Sequence, residues 1–539
     1  MPHRVKPLVL IALSLVTILC SRVCWGVVAL GDDAEIEGFV QAQNILRTPK
    51  FQGAELIMQR NTAQVEGKWY FLRDGVALGR FATGWLEEAT LSVIGRGVYD
   101  SIYDIRDSFR DRFSTREREN RKFDYNLREV YGDFIVPPLT LRLGRQQVVW
   151  GETDQFRALD VINPLDFRWH WTRENWEDIR IPAWMARAIY DLGKLGPVEE
   201  SFLEGIWIPG DFERNQIATD GRRPWGFFGS GLRRSSNTAI LGGNVFDLVT
   251  LVRDRKPDWA LESSELALRF KAIWGGVDFG LNYFWTLSDD TGLKTRRDLA
   301  DVSLVALRPD AAGTLTLPVD LVNPRGHVIG FSANYSEERL TQTVFRVEGA
   351  YKTGVPVHLR EGVAAGLDAD GNGYQATERA VVMLAFDRPT WLRPLNEMRT
   401  VFLTGQFFWQ RYTDYNRFFR GAFSVRRAVL DGRVLEDRFV DVNTDRLTED
   451  EFVITLAAST SYGAAGLWNP LVSVAYDPIA TAGYNRVSVE YLYSAHLVFR
   501  LTQDFYWGKS YEGPWFIGER FGRSRDSRQE TILTVIFQF

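Results

Sequence analysis

The side chains best suited to chemistry crowd into residues 139–182, where Arg142, Arg145, Glu152, Asp154, Arg157, Asp160 and Asp166 follow one another closely. Two kinds of chemistry fit such a set. A carboxylate beside a histidine, here Asp166 with His170 four residues on, could serve acid–base hydrolysis if a nucleophile stood nearby. Alternating arginines and carboxylates could instead form ion pairs that narrow a polar passage and select solutes by charge. The same pairs could also act as struts that pin a long loop to its neighbours. Beyond a leader the histidines are His170, His327, His358 and His496, and no nucleophile motif accompanies them, so an enzyme is not expected. The run Asp368-Ala369-Asp370-Gly371-Asn372-Gly373 spaces Asp368, Asp370 and Asn372 like the first calcium ligands of an EF-hand loop. Its twelfth position is Arg379 where a bidentate Glu is required. A polar surface loop is therefore the expectation, with calcium the single cofactor candidate.

The elements that must hold these residues read as strands. Segments of about ten residues alternate apolar and polar with period two. Leu266, Leu268 and Phe270 oppose Glu265, Arg269 and Lys271, while Val487, Val489 and Tyr491 oppose Arg486, Ser488 and Glu490. Eighteen such segments lie near 35–47, 54–70, 89–100, 124–136, 138–150, 183–193, 199–209, 261–274, 277–287, 326–336, 341–352, 377–387, 398–410, 451–462, 466–477, 485–493, 496–508 and 528–539. Counts of 16 or 20 also fit soft boundaries. Short connections, such as Trp274–Val277 and Ser494–His496, alternate with long ones at 101–123, 151–182, 210–260, 288–325, 353–376, 411–450 and 509–527. That asymmetry, and an even count with both termini on the periplasmic side, predict an all-β fold. It is a single transmembrane antiparallel barrel of about 18 strands with long extracellular loops.

Composition agrees. The 539 residues are 45% hydrophobic and 25% charged, too polar for a bundle of membrane helices. The longest largely apolar run, Leu8 to Cys20, is shorter than a spanning helix. With Arg4 and Lys6 before it, that run reads as the core of a signal peptide over residues 1–26, leaving 27–539 as the barrel. Both cysteines would leave with it, and 61 basic against 69 acidic residues would remain, which gives no reason to expect a nucleic-acid partner. Too few residues would then precede the first strand for an N-terminal plug domain, so anything narrowing the lumen is expected to come from folded-in loops.

The last segment ends on Phe539, with Thr531, Leu533, Val535 and Phe537 at every second position before it. A terminal aromatic after such alternation resembles the signal read by the outer-membrane insertion machinery.

Gly144-Arg145-Gln146, Trp150-Gly151-Glu152, Asp160-Val161-Ile162-Asn163-Pro164-Leu165-Asp166 and the trailing Arg180-Ile181-Pro182 resemble the signature of a family of proteobacterial outer-membrane barrels known as a domain of unknown function. Leu127-Arg128-Glu129-Val130-Tyr131, Trp468-Asn469-Pro470 and Tyr476-Asp477 resemble it too. The long 210–260 and 411–450 loops depart from it. The resemblance implies an envelope barrel of a Gram-negative bacterium, often encoded beside RND-type exporters, with such an exporter or a periplasmic component as a partner. It also implies a part in moving hydrophobic or lipid-like molecules, and no known reaction.

The resulting expectation is a passive outer-membrane channel, its outer face against lipid. Glu265, Arg269, Lys271, Asp278, Arg346, Glu348, Arg500 and Asp504 should face the lumen, because a charge facing lipid costs ~2–4 kcal/mol near the midplane. Arg142 should do the same on its strand, and Arg145 and Glu152 should stand closest to a constriction at the strand end. Trp169, His170, Trp171, Trp176 and Trp184 could line a site for an apolar solute or form an interfacial girdle. The alternative is a non-conducting barrel acting as a sheath or assembly partner.

Overall fold

Period-two alternation is realised as a closed antiparallel sheet. The computed structural model describes residues 28–29, 33–48, 53–77, 81–82, 84–110, 115–154, 156–167, 174–217, 236–241, 244–254, 256–295, 314–359, 374–417, 419–420, 424–430, 433–441, 447–479, 481–508 and 529–539. Its wall strands are β1 (Ala34–Arg47), β2 (Glu55–Arg73), β3 (Glu88–Asp100), β4 (Phe123–Val136), β5 (Leu139–Gln146) and β6 (Ala183–Asp191). There follow β7 (Glu200–Ile208), β8 (Glu265–Trp274), β9 (Val277–Leu287), β10 (Arg325–Glu337), β11 (Thr343–Leu359) and β12 (Tyr374–Thr390). The circuit ends with β13 (Val401–Tyr412), β14 (Asp450–Ser459), β15 (Trp468–Asp477), β16 (Ala482–Leu492), β17 (Leu497–Gly508) and β18 (Glu530–Gln538). Each pairs with the next, and β18 returns to β1 from Phe39↔Gln538 to Arg47↔Glu530, so no edge is left open. Phe539 completes the seam: its N–H and carbonyl exchange bonds with Gly38 at 2.9 and 2.8 Å.

The wall turns an ordinary core inside out. Leu143, Leu203, Leu266, Leu281, Ile329, Leu384, Leu456, Val472 and Leu501 project from the outer face and are exposed. Inward positions of the same strands hold buried Glu204, Asn282, Glu348, Gln406, Asp504 and Thr534. An apolar belt running round the whole circumference suits hydrocarbon and would be untenable in water. Aromatics ring both margins of the belt, with Trp468 stacked on Tyr491 at 4.2 Å near one end and Tyr476 on Trp507 at 5.5 Å near the other. The molecule is an 18-strand outer-membrane β-barrel. The short turns, among them Gly275-Gly276, define the periplasmic end; the long connections define the extracellular end.

Several details differ from the sequence reading. β11 and β12 run past the expected limits of 352 and 377 because a bulge between Lys352 and Val355 re-aims β11, whose Gly354 takes φ +72°. β5 stops at Gln146 instead of 150, where the chain turns inward. The connection expected to be loop at 210–260 contains a hairpin, Ser236–Leu241 with Asn244–Asp254. It joins Thr314–Val322 in parallel and, through it, Gly292–Thr295. Another hairpin, Ser424–Leu430 with Arg433–Asp441, lies in the 411–450 connection. Runs such as Val245-Phe246-Asp247-Leu248-Val249 carry strand propensity without belonging to the wall. The expected leader at 1–26, the calcium-like Asp368, Asp370 and Asn372, and Trp169, His170 and Trp171 lie outside the described residues.

Candidate functional site

After Gln146 the chain folds into the barrel, and the described part of 147–182 spans the lumen. Its root is pinned by Asn163, whose Oδ1 accepts the Val148 N–H at 2.7 Å and whose Nδ2 donates to the carbonyls of Gln146 and Ile181 at 3.3 and 3.0 Å. Gly151 is needed for the fold-back, since a Cβ there would lie 2.8 Å from the backbone nitrogen of Asp160. Asp160 pairs with Arg180 at 2.7 Å, both side chains only 3% exposed, and Arg157 lies 3.6 Å from the same carboxylate oxygen. Burial pulls the Arg157 guanidinium below its ordinary value. Asp166 is buried where the loop pairs with Gln216.

The far side of the loop is held by the opposite wall. Both Glu348 oxygens accept backbone N–H groups of the loop, from Glu152 and, at 3.2 Å, from Leu159. Arg346 donates to the Glu152 carbonyl and pairs with Asp154 at 3.2 Å and with Asp387 at 2.7 Å. Gln406 donates to Asp154 at 2.7 Å, and Asn334 donates to the Glu152 carboxylate. Lys271 lies 3.9 Å from Glu152 and 2.9 Å from Asp278. On β7, fully buried Glu204 takes Arg187, Arg269 at 2.6 Å and the Trp150 indole N–H at 3.1 Å. On the β2–β4 side, Arg60 reaches Glu174, Arg96 reaches Asp178 at 2.5 Å, and Arg128 donates to the carbonyls of Glu177 and Arg180 at 2.6 and 3.0 Å. Trp176 points its N–H at the Asp154 carbonyl, 2.8 Å away, so it serves the loop itself.

Cross-strand register locates each expected side chain. Glu265, Arg269, Lys271, Asp278, Arg346, Glu348, Arg500 and Asp504 share inward faces with partners such as Ile208, Glu204, Gly280, Asn334, Ser332, Thr534 and Glu530. Arg142 is inward and bidentate on Asp133 at 2.6 and 3.0 Å. Arg145 is not in the lumen. Strict alternation from Arg142 puts Leu143 out, Gly144 in and Arg145 out, opposite exposed Trp184, and its guanidinium donates to the carbonyls of Pro182 and Leu127 at 3.2 and 3.0 Å. The structure brings Glu152 and Asp154 together with Arg346 and Glu348, whereas Arg500 stands elsewhere, on an uncovered stretch of wall, and Asp504 is fully buried beside Arg486 and Tyr506. Glu204, Asn334 and Gln406 were not singled out in the sequence; each is an inward residue of a strand, and only the loop contact distinguishes it from its neighbours.

That uncovered stretch borders a cavity of about 820 Å³. Gln43, Ser459, Asn469, Ser488, Thr502 and Thr534 give it a hydroxyl and amide lining, and Arg399, Arg486, Arg500 and Glu490 its charges. Phe402, Trp391 and Met398 stand at its periplasmic mouth and Ile532 at its inner end. Ile532 also belongs to a buried apolar layer across the extracellular half, with Ile45, Met58, Phe408, Val453, Tyr484 and Tyr506 from the wall. Loop residues Ile102, Tyr103, Phe109 and Phe156 fill that layer, Phe156 meeting Phe408 edge-on at 5.4 Å.

Closed wall, apolar belt and loop-filled lumen define a porin-like outer-membrane barrel. Residues 77–539, including the whole inward loop, match the family described as Protein of unknown function (DUF1302), and the chain belongs to that family. No match was found among curated proteins. Among solved structures the chain is similar to Acinetobacter baumannii OccAB1 (10% identity, TM-score 0.45, covering 95% of this chain and 98% of that one). It is also similar to Pseudomonas aeruginosa OccK2 (OpdF) in complex with glucuronate (9%, 0.41, 95% and 99%). A further similarity is to Salmonella typhi OmpF in complex with daunomycin (8%, 0.38, 94% and 98%).

Proposed function

We propose that this barrel is a loop-gated channel that moves solute across the outer membrane along the β13–β18 and β1 side of its lumen. The observation that carries the reading is the division of the lumen. The loop 147–182 is bonded to β2–β4, β7, β8, β10, β11 and, through Gln406, β13, while the cavity bordered by Ser488, Thr502 and Arg500 stays open beside it, with Asn175 of the loop on its margin. A narrow lumen of low dielectric amplifies fixed charge, so Arg486, Arg500 and Glu490 would act on any ion that passes. The apolar layer above the cavity suits a solute with an apolar body, which fits the hydrophobic or lipid-like cargo that the family resemblance suggests. Such a solute would enter or leave through the periplasmic mouth, where a partner exporter or periplasmic component would meet the barrel.

Planar-bilayer recording of the purified protein tests this. Stepwise currents that rise when Arg346→Ala loosens the loop are the expected result. No current from either protein in a range of salts and solutes would reject the channel and favour a sheath filled by a partner.

A further inference from the structure

The connection between β12 and β13 takes ten residues, 391–400, where the β8–β9 turn takes two. A dense set of bonds fuses it to the β14–β15 connection, 460–467. Asn396 Oδ1 accepts the N–H groups of Met398 and Arg399 at 3.0 and 3.1 Å, and its Nδ2 donates to Thr460 Oγ1 and the Ser461 carbonyl at 2.9 and 3.0 Å. Tyr462 donates to the Leu395 carbonyl at 2.8 Å, and Thr460 to the Thr400 carbonyl at 2.9 Å. Arg399 donates from Nη2 to the carbonyls of Gly463 and Ala464 at 3.4 and 3.2 Å. Gly466, at φ +70°, leaves room for the guanidinium, since a Cβ there would strike its Nη1. The two turns thus form one lip over the periplasmic mouth of the cavity, and the lip is built without its large side chains. Trp391 is 59% exposed and Met398 84%. Below them Phe402 shares the inward face of β13 with Gln406 and Phe408, yet it is 44% exposed where those two are buried. Leu471 joins it across Ser459 on the ladder. Arg399 has no carboxylate partner among the described residues, and its Nη1 and Nε make no bond to them. Asp504 takes Arg486 and Glu490 takes Arg500, so the charge left over around the cavity is positive and sits at this lip.

We propose that the periplasmic mouth of the cavity is a binding site for an amphiphile with one oxyanion head and an apolar body. Arg399 holds the head, and Trp391, Met398, Phe402 and Leu471 take the body. A guanidinium with free N–H groups matches oxyanions such as carboxylate in geometry and charge. Exposed apolar side chains gathered at a cavity mouth mark a contact surface for an apolar partner. The cavity of about 820 Å³ lies within the roughly 300–1,000 Å³ of sites that enclose drug-sized molecules. A neutral or cationic amphiphile would meet the same apolar surface and leave the Arg399 charge uncompensated. The site rests on the channel reading, as the loading step at its periplasmic end, but its occupancy can be measured without any current.

Photolabelling of the folded, maltoside-solubilised protein with a dodecanoate carrying a mid-chain diazirine tests it. Labelled peptides are read by mass spectrometry, with heat-modifiable mobility as the folding control. The expected result is saturable labelling within 391–402 that octanoate suppresses and that acetate or octylamine does not. Arg399→Gln should raise the half-saturating concentration about ten-fold, and Phe402→Ala about five-fold. Arg399→Lys, which keeps the charge but loses the planar fork, should fall between wild type and Arg399→Gln, as a strut to the 460–467 turn would not. Labelling confined to the outer belt, equal labelling by the matching dodecylamine probe, or a half-saturating concentration unchanged by Arg399→Gln would overturn the proposal. If Arg399→Gln fails to fold, undiminished labelling of both Arg399→Lys and Phe402→Ala would overturn it as well. A wild type that takes the label yet carries no current would reject the channel and leave the site standing; one that conducts without label at the lip would do the reverse.

Discussion

The two sides of the lumen solve the same problem differently. On β7–β11 the inward charges pair along neighbouring strands, Glu204 with Arg187 and Arg269, Lys271 with Asp278 and Arg346 with Asp387. They also reach across the barrel: Glu204 takes the Trp150 indole, and Glu348 and Arg346 hold the backbone of Glu152. On β16–β18 the wall neutralises itself. Arg486 is bidentate on Asp504 at 3.0 and 3.2 Å, Arg500 donates from Nε and Nη2 to one oxygen of Glu490 at 3.0 and 2.5 Å, and Ser488 shares a 2.8 Å hydrogen bond with Thr502. A wall whose charges are paired along neighbouring strands needs nothing from the lumen. A wall that also carries a buried carboxylate without an ion-pair partner among the described residues, as Glu348 is, must be covered, because a buried polar group without a partner costs free energy. Adjacent-strand pairing occurs on both sides; what marks the loop-covered side is Glu348, whose two oxygens are satisfied by backbone N–H groups of the loop.

The largest effect that separates the sides should come from one carboxylate on each. Glu204→Ala removes a fully buried acid from two arginines and the Trp150 N–H, and should cost about 3–5 kcal/mol in denaturant unfolding. Glu490→Ala on the other side, where the side chain is 27% exposed, should cost less than about 1 kcal/mol. Equal losses would break the comparison.

Next in size is Arg346→Ala. It frees the Glu152 carbonyl and leaves the Asp154 carboxylate with Gln406 alone of these two partners, while Glu348 keeps its two backbone bonds. Conductance should rise a few-fold with more frequent closures, while heat-modifiable folding persists. Unchanged conductance would make these contacts struts that bear no part in gating.

The smallest effect is on orientation, and it fixes which mouth the cavity serves. A cysteine at Lys256 should react with an impermeant maleimide on whole cells, and one at Leu340, 89% exposed in the β10–β11 turn, only after permeabilisation. The reverse pattern would turn the periplasmic mouth into an external one.

The wall was legible because period two is a local property: Leu266 and Leu268 against Arg269 and Lys271 announce a face without reference to any other strand. The inward turn of 147–182 was partly legible in its glycines, Asn163-Pro164 and dense charge. Its anchors were not, because Glu348 and Gln406 lie some 190 to 250 residues away and look like any other inward polar residue until the barrel closes. Arg145 shows the cost of a one-residue step. It shares a motif with Glu152, yet alternation sends it to the opposite face, and only the exact strand end decides that. The hairpins at 236–254 and 424–441 were hidden for another reason, since strand propensity does not say whether a strand joins the wall.

The central claim is that solute passes beside β13–β18 and not through the loop-covered side. Single-channel recording of two cysteine variants tests it most directly. Ser459→Cys lies on the cavity lining; Ser332→Cys is buried on β10, across from Glu348. A bulky methanethiosulfonate reagent added to open channels should block Ser459→Cys and leave the current of Ser332→Cys unchanged. Block of Ser332→Cys with no effect on Ser459→Cys would place the path on the other side and contradict the account.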